Sequence, residues 1–359
     1  MSDLLAIGAS AVNAYQRALA TVGNNIANLS TEGYSRQEAA LSAGAPAQSG
    51  QLYLGTGVNV TGVKRAYDAF AQSNLRDTSS ALAAQQPLLD FANRVVDVLG
   101  NQQSGLGGAL SDFFGSAQAL ATSPASTDAR SSFLASADSL AARFRGMAGQ
   151  FDMLDQQSAA AVDNDVGTLN SLATQLAAIN AQLAKVSGED RQPPDLLDQR
   201  DRLLGAMAKL TTISVATDAN GSVKVGLGSG AAQAPLVEGD RSVILKAKFD
   251  AADRGKVDLV VDPYGKPSTI APPNGGEIAG YLAFRQQVLQ PSAAALDSLA
   301  LTFGTAVNEV QTGGVTMKGL QGPALYRFQP IFKVDAPAAR SQVNVTAVVV
   351  DPGAFAYHP

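Results

Sequence analysis

The sequence predicts a mainly α protein with a β-containing subdomain, and three observations carry that reading. Apolar residues recur at three- and four-residue spacing over several long stretches, the period drops to two between residues 212 and 273, and turn-forming residues separate the stretches. With 359 residues, 46% of them hydrophobic, the chain has enough apolar surface for a sizeable core. Lys plus Arg number 26 against 31 Asp plus Glu, a net charge of -5 that offers no footprint for nucleic acid. There is no Cys, and the single His358 is second from the end, so thiolate chemistry is excluded and a histidine triad or cluster would have to use a frayed terminus. The expectation is a protein with no catalytic site, no cofactor and no metal. No apolar run approaches the ~20 residues of a membrane span. Asp3, Asn13, Gln16 and Arg17 deny the N-terminus the pattern of a cleavable signal peptide.

The elements follow in order. Leu5, Gly8, Val12, Tyr15, Leu19, Val22, Ile26 and Leu29 are spaced three, four, three, four, which makes one coiled-coil seam on one helix. Ser2 or Asp3 can cap it and Ser30-Thr31-Glu32-Gly33 stops it. A narrow seam is half an interface, so a partner helix is expected from this chain or another subunit. Residues 34 to 65, punctuated by glycines, read as an extended arm or small hairpin. Helical spacing returns from Tyr67 to about Leu99, with a kink or interruption expected at Pro87, and a shorter helix covers Leu106 to Ala121.

From Thr127 to Val186 one or two long helices follow. Phe133, Leu140, Phe144, Met147, Phe151 and Leu154 supply a core stripe, and Leu169, Leu172, Leu176, Ile179, Leu183 and Val186 repeat the heptad. A helix over Leu196 to Leu210 interleaves Asp195, Asp198 and Asp201 with Arg200 and Arg202. It reads as a salt-bridged, solvated face rather than an acidic metal site, because each Asp has an Arg within helical reach and no turn chemistry supports a calcium loop. Ile213 to Thr217 and Ser222 to Val225 flank Asn220-Gly221, a strong hairpin signal, and Ser242 to Phe249 with Lys256 to Val261 read as a second strand pair. Gly226-Leu227-Gly228-Ser229-Gly230 opens no helix, so it reads as a loop and not a phosphate cradle. A helix from Glu277 to about Val310, capped by Asn274, is expected to bend or break at Pro291, and the tail alternates from Ile331 onward, notably Val343 to Val350.

The stretch from Ala18 to Arg36, with Asn24-Asn25-Ile26-Ala27-Asn28 followed by Thr31-Glu32-Gly33-Tyr34, resembles the N-terminal signature of the bacterial flagellar axial proteins, shared by rod, hook and hook-associated proteins. Gly57 to Val60, Val63 to Phe70, Asn74-Leu75-Arg76, Leu196 to Asp201 and Gly280 to Arg285 resemble the continuation in the hook-associated members, so the likeness covers about residues 1 to 320. Physically, Asn24, Asn25 and Asn28 supply amides that can end their own helix or bridge a neighbour's backbone, Gly33 suits a left-handed turn, and Tyr34 offers an interface anchor.

The resemblance implies an uncatalytic junction subunit between hook and filament, exported uncleaved by the flagellar type III apparatus and assembled as a ring outside the cell. Its implied partners are the hook protein, the second junction protein, copies of itself, and an export chaperone on a C-terminal region not present here, with no nucleic acid and no membrane. The implied subunit interface comprises Leu5, Val12, Tyr15, Leu19, Val22, Asn24, Asn25, Ile26, Asn28, Leu29, Gly33 and Tyr34. Flagellar axial proteins pair N- and C-terminal helices, and the turn-rich end near Pro359 lacks such a helix, so truncation is expected.

The organisation that follows is an axial helix and arm over 1–65, disordered in an isolated subunit; a helical bundle over 66–211; a β-hairpin subdomain over 212–273; a helix returning to the bundle over 274–312; and the start of an outer β-rich domain over 313–359. Two rival readings stay open. One is a peptidoglycan or glycan hydrolase on an axial scaffold, for which Asp195 to Asp201 are the only dense acidic cluster. The other is a rod or hook subunit, against which the long helical region argues.

Overall fold

A computed structural model describes residues 2–49, 52–100, 105–186, 192–218, 220–228, 234–250, 253–316, 319–331, 342–347 and 356–357. The fold is mainly α with small antiparallel sheets. In chain order it runs α1 (Ser2–Ala27), β1 (Gln37–Ala43), β2 (Ala47–Ser49), β3 (Leu52–Leu54), β4 (Val58–Arg65), α2 (Ala69–Gly100), α3 (Leu106–Thr122), α4 (Thr127–Leu183) and α5 (Pro194–Leu210). It continues with β5 (Ile213–Thr217), β6 (Val223–Leu227), β7 (Ala234–Glu238), β8 (Arg241–Ser242), β9 (Leu245–Phe249), β10 (Val257–Val261), β11 (Ser268–Ile270) and α6 (Gly276–Ala283). A π-helical segment (Phe284–Leu289), α7 (Gln290–Gly313), β12 (Val315–Thr316), β13 (Tyr326–Ile331), β14 (Gln342–Ala347) and β15 (Ala356–Tyr357) complete it. Among the described residues no helix is long and apolar enough to cross a membrane.

The chain packs into two units, each drawn from three stretches of sequence: 1–83, 165–246 and 260–277 in the first, 84–164, 247–259 and 278–359 in the second. In the second unit the aromatic stripe of α4 fills the core. Phe133, Leu140, Phe144, Met147, Phe151 and Leu154 are all buried there with Phe91, Phe113 and Phe284. Phe113 meets Phe133 and Phe303 at ring separations of 5.1 and 5.2 Å, within the range where tilted and edge-on pairs attract.

In the first unit two asparagines of α4 stitch the helix to strands. Asn170 donates to the Leu245 carbonyl and accepts from its N–H, both at 2.9 Å. Asn180, fully buried, donates to the Val223 and Gly239 carbonyls at 2.8 Å and accepts from the Val223 N–H at 3.0 Å. The hairpin at Asn220-Gly221 joins β5 to β6 in register Thr217↔Val223, inside a four-stranded sheet ordered β5-β6-β7-β8. Sequence spacing finds the second strand pair, β9 and β10, but not β7 or β8.

The helical expectations meet different outcomes. The region from Thr127 is one helix of 57 residues ending at Leu183, with Ser126 accepting the Ala129 N–H at its start. Helix α2 runs uninterrupted through Pro87, which lies buried inside it, so of the kink or interruption expected there the interruption is absent; Asp68 caps that helix by accepting the Phe70 and Ala71 N–H groups at 2.9 and 3.0 Å. At Pro291 the chain widens instead of breaking. The six-residue π segment precedes it, with the Gln290 N–H reaching back five residues to the Arg285 carbonyl, so the wider turn absorbs the ring that an α-turn would meet. The Asn274 side chain accepts a hydrogen bond from Thr212 at 2.9 Å, a link between segments of the first unit in place of the expected helix cap.

Asp165 on α4 carries a pH prediction. Burial first, and then the charge of Glu277, push its pKa up to about 6, and its Oδ2 is buried without a hydrogen-bond partner. A carboxyl whose folded pKa is raised binds its proton more tightly than the unfolded chain does, so it costs stability as pH rises from about 4 through about 6 and the cost is complete above that. Asp165→Asn is therefore expected to raise the melting temperature at pH 7.5, with the gain shrinking to nothing near pH 3.5. Thermal melts at the two pH values check it, and a gain that does not shrink with acid contradicts it.

Candidate functional site: an exposed helical seam and its anchor

Helix α1 has two faces, offset by one residue. Leu5, Val12, Tyr15, Leu19, Val22, Ile26 and Leu29 all point to solvent, with exposures of 79% at Leu5, 70% at Leu19 and 85% at Leu29. The seam predicted from spacing is thus present and uncovered. The neighbouring stripe, running Ile7, Ser10, Ala11, Ala14, Ala18, Thr21 and Asn25, turns inward, and Ala14 is buried. Small residues suit that face because it lies against the ribbon of β1 and β4, where a bulky side chain would hold the backbones apart. Ser10 Oγ accepts the Val58 N–H at 3.2 Å, and Gly57, at φ 104°, leaves room where a Cβ would strike Ser10.

The Asn cluster divides between two jobs. Asn28 donates to both the carbonyl and the side-chain oxygen of Asn24, at 3.0 and 2.9 Å, so this exposed pair closes the helix end. Asn25 is spent within the chain. Its Oδ1 accepts from the Gln37 N–H and the Tyr34 hydroxyl, both at 2.8 Å, and its Nδ2 donates to the Gln37 carbonyl at 2.8 Å. The polar atoms of Asn25 and Tyr34 therefore tie α1 to β1 within the chain. Gly33 is left-handed at φ 75°, and a Cβ there would meet the Arg202 side chain. Burial, followed by the charges of Asp195 and Asp198, raises the Tyr34 pKa and keeps its hydroxyl a donor.

The base of the ribbon is held by charge. Arg65, the last residue of β4, places Nη1 2.8 Å from both Asp198 Oδ1 and Asp201 Oδ2 on α5. Asp198 Oδ2 accepts the Ser35 N–H at 3.0 Å, Gln37 donates to Asp195 at 3.3 Å, and Arg200 pairs with Asp201 at 3.1 Å. The Arg65 guanidinium also lies 4.5 Å from the centre of the Tyr67 ring. Burial pulls the Arg65 pKa down, yet the hydrogen bonds and charges of Asp198 and Asp201 outweigh it and the net direction is up.

This corrects the solvated-face reading of the α5 acids: Asp198, Arg65 and Arg200 are almost wholly buried, and the main cation comes from a strand 133 residues upstream, beyond the reach of helical spacing. Sequence reasoning missed Arg65 and the inward stripe of α1. The stripe had a signal, a second run of three- and four-residue spacings one position behind the seam. Arg65 had none. Among the described residues no group of three or more His, Asp or Glu side chains gathers as a metal site.

Comparison with known proteins gives a consistent result. The family model described as the flagellar hook-associated protein FlgK helical domain matches residues 92–326, and that of the flagella basal body rod protein matches residues 5–34. The chain is 31% identical to flagellar hook-associated protein 1 of Salmonella typhimurium over 98% of this chain and 64% of that protein. It is 28% identical to the Escherichia coli protein of the same name, over 99% and 65%, and 26% identical to that of Bacillus subtilis, over 95% and 73%. The chain thus spans somewhat under two thirds of the first two relatives' length. It resembles the solved structure of the flagellar hook junction protein FlgK from Burkholderia pseudomallei with a TM-score of 0.66 at 26% identity, over 72% of this chain and 47% of that one.

Proposed function

Because the chain belongs to the FlgK family of flagellar hook-associated proteins, we propose that it serves as a structural junction subunit between hook and filament. The observation that carries this is the uncovered seam of α1, a ladder of large apolar side chains held out on a helix that a second stripe docks on the β1/β4 ribbon. Such a ladder suits a helix-lined assembly and has no use in a hydrolase. The acids of α5 support the same reading, since arginine and backbone donors occupy them and leave no free carboxyl pair to give and take protons.

The partners that follow are the hook protein, the second junction protein and further copies of the chain in a ring, reached by uncleaved export through the flagellar type III apparatus. Leu5, Val12, Tyr15, Leu19, Val22, Ile26 and Leu29 form the contact face, with the Asn24 and Asn28 amides at its end. In this reading the segment 1–65, ordered in the isolated subunit as far as its contacts with the ribbon and α5 hold it, gains further order on assembly, when the seam is covered, and residues 313–359 begin an outer β-rich domain. Deleting the gene is expected to leave cells with hooks but no filaments, and the full-length gene to restore them. Electron microscopy of the cell surface checks this; a deletion strain with normal filaments rules the junction role out.

A further inference from the structure

The acids of α5 do more than fill a buried site. Gln37 and Arg65 are register partners at the open end of the β1/β4 ribbon, and Asp198 grips both strands there, through the Ser35 N–H on one side and the Arg65 guanidinium on the other. The same ribbon end holds α1, because Gln37 gives its N–H and carbonyl to Asn25. Further along, Ser10 fixes the helix to Val58. Helix and ribbon are therefore one body, and the bonds that bind its base to α5 run through Asp198, Asp201, Asp195 and the contact of Arg202 with the Gly33 carbonyl at 3.5 Å.

We propose that Asp198, assisted by Asp201, is the positioning residue of the assembly helix: a charge latch that sets the angle at which α1 leaves α5 and so aims the seam at its neighbours. The inference rests on the junction reading for its purpose but not for its geometry. Charge is a fitting material for such a latch. An apolar contact tolerates sliding, whereas a guanidinium shared between two carboxylates at 2.8 Å is satisfied in one orientation only. The pair is also too buried for salt to loosen it.

The test uses the full-length protein with Asp198→Asn, which keeps size and the Ser35 acceptor but removes the charge that holds Arg65, and Asp201→Asn as a milder second variant should the first fail to fold. Amide exchange is read in two places, the arm (residues 5–29, 37–43 and 58–65) and the body of the same unit (172–183 and 223–227). The expected result is exchange about tenfold or more faster throughout the arm with the body within about twofold of wild type, together with a fall in filamented cells. Arg65→Lys, which retains the charge, should move the arm less than Arg65→Met. Unchanged arm exchange, or an equal rise in arm and body, overturns the latch. A loosened arm on fully filamented cells overturns its role in aiming the seam. Failure of the junction reading itself would show separately, as normal filaments when the seam is destroyed and the latch left intact.

Discussion

Full-length protein carrying Val12→Asp, Leu19→Asp and Ile26→Asp together is expected to fold normally and to leave cells without filaments. The three positions are exposed in the subunit, so each change should alter its stability by no more than about 0.5 kcal/mol. In an assembled seam each lost apolar contact is worth roughly 1.5 kcal/mol or more, and each new carboxylate must also be desolvated. Three such losses exceed about 4 kcal/mol, a weakening of at least about a thousandfold per contact between subunits. Circular dichroism with counts of filamented cells checks both halves. Normal filaments would remove α1 from the interface, and a collapsed fold would show that the seam faces inward after all.

The second large effect lies in the first unit. Asn180→Ala removes one amide that satisfies three backbone groups, the buried N–H and carbonyl of Val223 and the half-buried carbonyl of Gly239. An unpaired buried polar group costs about 1–3 kcal/mol, so the variant should lose about 3 kcal/mol or more. The loss should be read by urea denaturation as a lower midpoint. Asn180→Asp, which keeps the acceptor but turns a second acceptor toward the two carbonyls, should not restore it. A loss below about 1 kcal/mol would mean that water or a shifted backbone replaces the amide.

Much of the fold was legible because it is periodic. The stripe from Phe133 to Leu154 is buried residue for residue, and the α1 seam is as uncovered as a half-interface must be. What escaped was non-local. Pro87 obeys the packing around it rather than the local rule, and Pro291 follows a π turn that no propensity scale announces. The heptad spacing of α4 carries no sign that the amides of Asn170 and Asn180 join the helix to strands. The Asp198 partner lies far upstream, and Tyr34 and Asn25 can satisfy each other only because a turn brings them within 2.8 Å.

The bond between Asp198 and Arg65 sits at one end of a long lever. Helix α1 has 26 residues, about 39 Å of rigid rod at 1.5 Å per residue. A rotation of ~5° at the ribbon base would carry the far end of that rod ~3 Å sideways, the rise of two helical residues, enough to bring a knob against the wrong hole of a facing helix. A few tenths of an ångström at one guanidinium are therefore magnified along the rod into ångströms at the far end of the seam. In the proposed ring, the stiffness of this one buried ion pair would limit how closely the seams of successive subunits match.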